Sequence, residues 1–331
     1  MGCVTLSRSA GIDAIRVGGI CAVIFGHVYA GALTHQWVYS WHVPLFFVLT
    51  GYLWKPGRTI GKELSIRTRA LMVPYVSWFV VVSLIVLAVP AENSPWNVTT
   101  LLAPLWGGSQ ATGPYGTFWF VSVLFFTALF YRAIDRLPRT VQWAIAVVGV
   151  VAAYYAGPQL AGLPLGVGLA WPCLIFLLAG RGIAAVEPRL SHPRSVGLLV
   201  LAAGAAVIAF FPLDDVDLKQ GLFGTPLIGI LIAVAVSMGL LLACRTIPFG
   251  DGLSRLMAAL AVVGIAVVLS HPLVVWAFPL MGFLPKWTLL AAVIVPWGVA
   301  LVIARFRFSV LLIGPSTRKS RVLPVTAEPQ T

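Results

Sequence analysis

Residues 13–27 read DAIRVGGICAVIFGH, and this stretch decides the fold class. Its middle, VGGICAVIFG, is apolar or small throughout, which is typical of a membrane-spanning helix. Similar apolar runs recur along the 331-residue chain, which is 60% hydrophobic and only 10% charged. Soluble domains are about 25% charged. The composition therefore predicts an all-α, polytopic membrane protein without a separate soluble domain.

Turn residues and charges divide the chain into apolar segments that predict about ten transmembrane helices. These segments cover residues 11–32, 39–54, 71–90, 117–135, 140–156, 166–186, 195–212, 222–244, 256–278 and 287–304. The second segment is short and contains Pro44, which predicts a broken or oblique helix whose freed backbone groups are covered by protein or water. Residues 1–313 are predicted to form one transmembrane domain, and the polar residues 314–331 a disordered cytoplasmic tail.

Basic residues are distributed unevenly between the two sides of the predicted bundle. With the N-terminus inside, the cytoplasmic segments hold every Lys and Arg except Arg16, Lys219 and Lys286. Positive residues collect on the cytoplasmic side of a membrane, so both termini are predicted to be cytoplasmic in a multi-pass protein of the bacterial inner membrane. The net charge of +12 is then explained by the basic residues that orient the protein against the anionic cytoplasmic leaflet of the lipid bilayer, and no nucleic-acid partner is expected.

Ionisable residues within the first helix predict a functional site. Arg16 and His27 are eleven residues apart, so both project from nearly one face, with His27 about 16 Å further along the helix. Asp13 lies one turn before Arg16, close enough to pair with it. Ionisable groups inside a span usually face a bundle interior or a cavity. There is a purely structural alternative for each residue: Arg16 could extend its charged end to the membrane surface, and His27 could form a hydrogen bond to a neighbouring helix. These alternatives explain less well why both residues lie on one face.

This Arg and His pattern, led by IDAIR (12–16), resembles the first helix of the acyltransferase 3 family of integral membrane O-acyltransferases. Four later stretches are similar to family elements in the same order: WHVPLFFVLTGYLW (41–54), in the form of the fucose-acetylase-like branch, RTRALMVPY (67–75), FWFVSVLFF (118–126) and VLSHPLVVW (268–276). The resemblance covers about residues 10–305. Two departures are Thr50, where Ser is usual, and the absence of a usual Tyr from the last stretch.

The resemblance implies transfer of an acyl group, which we expect to be acetyl, to a hydroxyl of a cell-envelope or exported glycan or glycolipid. A hydroxyl that attacks a thioester needs a base, and a His can be neutral near pH 7, so His27 is the predicted catalytic base. His42 begins the antiparallel second segment and is expected at a similar depth. Arg16 or His42 would donate to the developing oxyanion, and Asp13 would orient Arg16.

The resemblance also implies cytoplasmic acyl-CoA as co-substrate, with no permanently bound cofactor. CoA phosphates need cations, which the basic segment 55–69 supplies, and Arg67 and Arg69 are the predicted ligands. No metal site is expected, because no His, Asp or Glu set has ligand spacing. Direct transfer and an acyl-His intermediate both remain open.

The alternative function is a transporter or flippase for a glycan or lipid-linked substrate, in which the buried Arg and His couple to substrate or protons. Trp119 and Phe120 are predicted to be packing or interface aromatics. His35 is predicted to be a loop residue, and the sequence assigns no role to His271 or an oligomeric state to the chain.

Overall fold

The computed structural model of the protein describes residues 9–89, 101–102, 105–106, 108–245 and 247–315. No β-strand occurs among these residues, and the predicted all-α class is confirmed. The helices are α1 (Ala10–Val28), α2 (Pro44–Tyr52), α3 (Ile60–Ala88), α4 (Phe118–Ile134), α5 (Arg139–Ala161), α6 (Leu174–Val186), α7 (Pro193–Phe210), α8 (Ile228–Arg245), α9 (Asp251–Val262), α10 (Gly264–Leu280), α11 (Pro285–Ile303) and α12 (Ser309–Ile313). The predicted cytoplasmic tail lies outside the described residues from 316 onward.

Seven helices of the described chain are long and apolar enough to cross a membrane, and two bent pairs raise the number of candidate spans to as many as nine. The bent pairs join Pro164–Ala170 to Leu174–Arg189 at 51°, and Asp251–Val262 to Gly264–Leu280 at 67°. The candidates fall on nine of the ten predicted segments. The chain is thus a multi-pass membrane protein, and the predicted segment without a candidate span is the second, 39–54.

The second segment forms a short internal helix because its first part is not regular α-helix. Residues His35–Tyr39 form a π-helical turn, and α2 starts only at Pro44 and runs for nine residues. Such a helix is about 14 Å long, roughly half of the hydrocarbon core of a bilayer. The second segment is therefore a broken helix, as Pro44 predicts, and it contributes a wall inside the bundle.

Two glycines hold α2 against α6. A Cβ atom built on Gly51 would lie 1.8 Å from the carbonyl oxygen of Leu177, and one built on Gly180 would lie 2.0 Å from that of Val48. No side chain fits at either position, so the two backbones touch. Small residues allow this kind of close helix packing in membranes, where polar and van der Waals contacts replace the hydrophobic effect between helices.

The helix α3 begins eleven residues before its predicted start at residue 71. The side-chain oxygen of Thr59 accepts the backbone N–H of Lys62 at 3.3 Å and caps the new N-terminus. A π-helical turn over Thr68–Met72 then precedes Pro74, whose ring nitrogen cannot donate to the helical ladder. The segment that the sequence marks as a basic loop is therefore mostly helix.

Contacts between distant segments define one end of the bundle, which we call the basic end. The backbone at Gly11 of α1 lies against that of Arg245 of α8, since a Cβ at Gly11 would be 2.8 Å from the Arg245 Cα. Arg132 of α4 donates to the carbonyl oxygen of Lys55 at 2.8 Å and to Glu63 of α3 at 3.0 Å. The start of α1 thus lies at the basic end, and its last turn lies about 24 Å away at the other end.

Candidate functional site

A cavity of about 490 Å³ lies at the end of the bundle opposite the basic end, which we call the cavity end. Its walls come from the last turns of α1, the segment 35–46, residues 113–120 at the start of α4, the loop residues 216–220 and residues 268–276 of α10. Because five separate parts of the chain converge there, the completed fold is needed to form the cavity.

Three histidines from distant parts of the sequence meet at this cavity. His27 of α1 and His42, two residues before α2, both line it. The ring centroid of His27 lies 5.2 Å from that of His271 on α10. His271 is fully buried, whereas His27 is only half-buried and faces the open space. The structure therefore brings two predicted site residues together and adds a third histidine behind one of them.

Backbone carbonyls fix two of the three imidazole rings. Nδ1 of His42 lies 2.8 Å from the carbonyl oxygen of Val38, and Nδ1 of His271 lies 2.9 Å from that of Val267. A carbonyl oxygen only accepts, so Nδ1 carries the proton in each ring and Nε2 of each neutral ring is an acceptor. Nε2 of His271 is buried without a hydrogen-bond partner in the described chain, and His27 makes no hydrogen bond to a described residue. His27 is therefore the ring whose nitrogens are open to a ligand.

The start of α4 forms the wall beside His27. A Cβ atom built on Gly116 would lie 3.6 Å from Cε1 of His27, so the backbone passes close to the imidazole. The hydroxyl of Thr117 donates to the carbonyl oxygen of Val268, which ties this wall to α10. Trp119 and Phe120 follow, and both are buried and line the cavity, a location that their predicted packing role did not include.

His35, predicted to be a loop residue, lies in the cavity wall. Its ring stacks on Tyr39 at a centroid distance of 4.1 Å, and Tyr39 in turn contacts the ring of His42 at 4.9 Å. Nδ1 of His35 lies 3.1 Å from a carboxylate oxygen of Asp215. This series of contacts joins the 211–227 loop to the ring of His42. Despite the number of histidines, no three His, Cys, Asp or Glu residues of the described chain are grouped as metal ligands.

The loop between α7 and α8 adds two charged residues, Asp217 and Lys219, to the cavity lining. A carboxylate oxygen of Asp217 accepts the backbone N–H of Lys219 at 3.0 Å. Burial raises the pKa of Asp217 and lowers the pKa of Lys219, and in each case the charge of the other residue opposes that shift. Sequence reasoning missed both residues, because charges in a polar loop look like an ordinary solvated surface.

Asp13 and Arg16, both predicted site residues, lie on α1 outside the cavity lining. Nη1 of Arg16 is 3.4 Å from a carboxylate oxygen of Asp13, whose side chain is 1% exposed against 38% for Arg16. The helical rise places Arg16 about 16 Å from His27 along α1. The pair thus lies on α1 between the basic end and the cavity.

The two predicted ligands of the CoA phosphates lie at the basic end in different environments. Nε of Arg67 donates to Glu63 at 2.8 Å, and the same carboxylate accepts from Arg58 at 3.2 Å and Arg132 at 3.0 Å. Arg69 is exposed, and no ion pair joins it to another described residue. Arg67 is therefore committed to a protein carboxylate, whereas the guanidinium of Arg69 is accessible from outside.

The chain matches the model of a known protein family. The model of the acyltransferase 3 family, which is described as an acyltransferase domain, matches residues 9–310. No curated protein and no solved structure matches the chain. The family match runs from the start of α1 into α12 and includes every wall of the cavity. The chain therefore belongs to the acyltransferase 3 family, and it is a membrane acyltransferase.

Proposed function

We propose that the protein is an O-acetyltransferase of the inner membrane, which moves an acetyl group from acyl-CoA to a hydroxyl of a cell-envelope or exported glycan or glycolipid. The observation that carries this proposal is the imidazole of His27, which faces the cavity without a hydrogen bond to a described residue. A neutral imidazole in a ligand-sized cavity is the kind of group that removes a proton from a hydroxyl.

In the proposed reaction the hydroxyl oxygen of the acceptor attacks the carbonyl carbon of the thioester. A new C–O bond forms and the C–S bond breaks. His27 takes the hydroxyl proton and returns it to the departing thiolate, so the products are the ester and the CoA thiol. Nε2 of His271 is unpaired and could accept a hydrogen bond from one ring nitrogen of His27. The other ring nitrogen of His27 would then be the proton acceptor.

His42 is better suited to bind the acceptor than to stabilise the oxyanion. Its Nδ1 proton is already bonded to the carbonyl oxygen of Val38, so Nε2 of the neutral ring accepts hydrogen bonds and cannot donate one. An acceptor hydroxyl can donate to that nitrogen. Arg16, the other predicted oxyanion donor, lies outside the cavity lining and is assigned in this proposal to the donor path.

The donor is proposed to arrive from the basic end. By the positive-inside rule that end is cytoplasmic, where acyl-CoA is available, and the cavity end opens towards the outside. A single cysteine at Asp215, in a chain whose four native cysteines are replaced, is expected to react with a membrane-impermeant maleimide on intact cells. Labelling from the cytoplasmic side alone would refute both the topology and the direction of donor entry.

The proposed activity is tested by following the acyl group itself. Purified protein in detergent is mixed with radiolabelled acetyl-CoA and envelope glycans from cells that lack the gene. We expect label to enter the glycan with the wild-type protein, and to remain in CoA with His27→Ala. A transporter or flippase changes no covalent bond, so label that stays in CoA with the wild-type protein would favour that alternative.

A further inference from the structure

Lys219 is the one Lys or Arg among the described residues that line the cavity. Its side chain is half-buried. No carboxylate oxygen lies within 4.0 Å of its ammonium group, and the ammonium makes no hydrogen bond, as far as the described chain extends. A partly desolvated cation therefore faces the cavity without a direct ion pair to a described carboxylate, although Asp217 lies in the same lining.

The acidic residues nearest in the sequence make no ion pair with the ammonium group of Lys219. One carboxylate oxygen of Asp217 accepts the backbone N–H of Lys219, and a carboxylate oxygen of Asp215 lies 3.1 Å from Nδ1 of His35. Burial lowers the pKa of Lys219, and the charge of Asp217 opposes that shift only in part. A buried charge is costly unless it is paired, so an anion bound in the cavity would stabilise the ammonium.

The rest of the lining suits a sugar close to this cation. Trp119 and Trp276 present aromatic surface, against which the apolar faces of a sugar ring can pack. His42 provides an acceptor nitrogen for a hydroxyl, and His27 is the proposed base. One cavity thus combines an apolar surface, hydrogen-bond acceptors, the carboxylate of Asp217 and one cation that makes no direct ion pair.

We propose that the acceptor carries an oxyanion, a carboxylate or a phosphate, near the hydroxyl that is acylated, and that Lys219 binds this group. The inference rests on the proposed function, since it assigns the cavity to the acceptor. Acidic sugars and sugar phosphates both present the required chemistry, and the test separates them.

Binding is measured by calorimetry on the purified full-length protein in detergent, without acyl-CoA. Three probes are compared: methyl glucuronide for the carboxylate, glucose 1-phosphate for the phosphate, and methyl glucoside as the neutral sugar. We expect at least one anionic probe to bind about ten- to hundredfold more tightly than methyl glucoside, as for a charge-assisted contact. The stronger anion identifies the carboxylate or the phosphate as the preferred group.

Three variants locate the contact. Lys219→Met is expected to remove the preference for the anion, and Lys219→Arg to keep most of it. Lys286→Met is the matched control, because Lys286 is the other predicted outer lysine and is exposed outside the cavity lining. It is expected to bind like the wild-type protein. Thermal unfolding of each variant establishes that the fold is retained.

Several outcomes would overturn the inference: equal affinity for neutral and anionic probes, no binding of either anion, or a preference that survives in Lys219→Met. Loss of the preference in Lys286→Met would overturn it as well. Because no acyl-CoA is present, the result is independent of transfer. A protein that binds the anion but never transfers label refutes the proposed function alone, and one that acylates only neutral glycans refutes this inference alone.

Discussion

The basic end and the cavity end differ in how their ionisable side chains are paired. At the basic end, fully buried Glu63 accepts hydrogen bonds from three arginines, and the guanidinium of Arg132 also lies 4.1 Å from the centroid of the Trp54 ring. At the cavity end, His27 and Lys219 have no hydrogen-bond partner within the described chain for their side-chain nitrogens.

Native proteins satisfy most of their buried polar groups. His27 and Lys219 are half-buried and face open space in which a ligand can supply a partner. Here the ion pairs lie where segments of the bundle are joined, and one buried atom there, Nε of Arg132, has no partner in the described chain. His27 and Lys219, which make no hydrogen bond to a described residue through their side chains, line a cavity. The difference teaches that the number of charges is a poor guide to a binding site in this protein. A charged side chain whose atoms are already paired within the protein stabilises the fold, whereas one whose atoms are unpaired and face a cavity can bind a ligand.

The largest effect is expected from His27→Ala, which tests the cavity end. Loss of a general base costs about 10²- to 10⁴-fold in rate, and we expect at least the lower value in the label-transfer assay. His192→Ala is the control, because His192 is exposed and lies outside the cavity lining. If His27→Ala keeps more than about a tenth of the wild-type rate, His27 is not an essential base.

Glu63→Gln tests the basic end through stability. The change keeps the shape of the side chain but leaves three guanidinium groups without their shared counter-charge. Breaking a buried ion pair costs about 3–5 kcal/mol, and the partial exposure of Arg58 and Arg67 favours the lower end of that range. Chemical unfolding in detergent measures the loss.

The matched control for that variant is Asp251→Asn, an exposed carboxylate in the first turn of α9. It is expected to change the free energy of unfolding by less than about 1 kcal/mol. A Glu63→Gln protein with wild-type stability and a raised KM for acyl-CoA would contradict the structural role and make the cluster part of the donor site.

Arg16→Lys tests the region between the two ends. Lys keeps the charge but loses the planar guanidinium fork, so contact with acyl-CoA should weaken. Loss of one charge-assisted hydrogen bond costs about 1.5–3 kcal/mol, which corresponds to a roughly ten- to hundredfold rise in the KM for acyl-CoA. A change confined to the KM for the acceptor would place Arg16 with the acceptor or make it a structural partner of Asp13.

A pair of glycines on α6 tests how rigidly α2 must be held to form the cavity wall. Gly180→Ala forces a Cβ atom against the carbonyl oxygen of Val48 and is expected to cost about 1–3 kcal/mol of stability. At Gly182 nothing lies within 4 Å of the new Cβ, so Gly182→Ala should stabilise the helix by up to about 1 kcal/mol. Equal effects of the two changes would show that the contact between α2 and α6 does not limit stability.

Much of the fold could be predicted because apolar runs report membrane helices directly. For the second segment, the short length and Pro44 predicted a broken or oblique helix, and the π-helical turn over His35–Tyr39 with a regular helix only from Pro44 onward confirms the break. The prediction was wrong for the start of α3, because the basic residues between 60 and 67 are compatible with a helix as well as with a loop.

The candidate site could be predicted in part for a similar reason. His27 is an ionisable residue inside the first predicted helix and His42 lies early in the second, and both line the cavity. His271 and Lys219 could not be predicted from local pattern, because only the packing of α10 and of the loop before α8 brings them to α1. Their catalytic and binding roles stay predictions until the variants are measured.

The glycine contact between α2 and α6 has a consequence for the biogenesis of the protein. A helix of nine residues cannot enter the bilayer as an independent span, and its partner Gly180 emerges from the ribosome much later. The wall that carries His42 can therefore close only after α6 has been inserted. In a chain truncated after residue 161, a cysteine at Val48, buried in the complete protein, is expected to react with water-soluble thiol reagents. The acyltransferase site is then one of the last parts of the molecule to form.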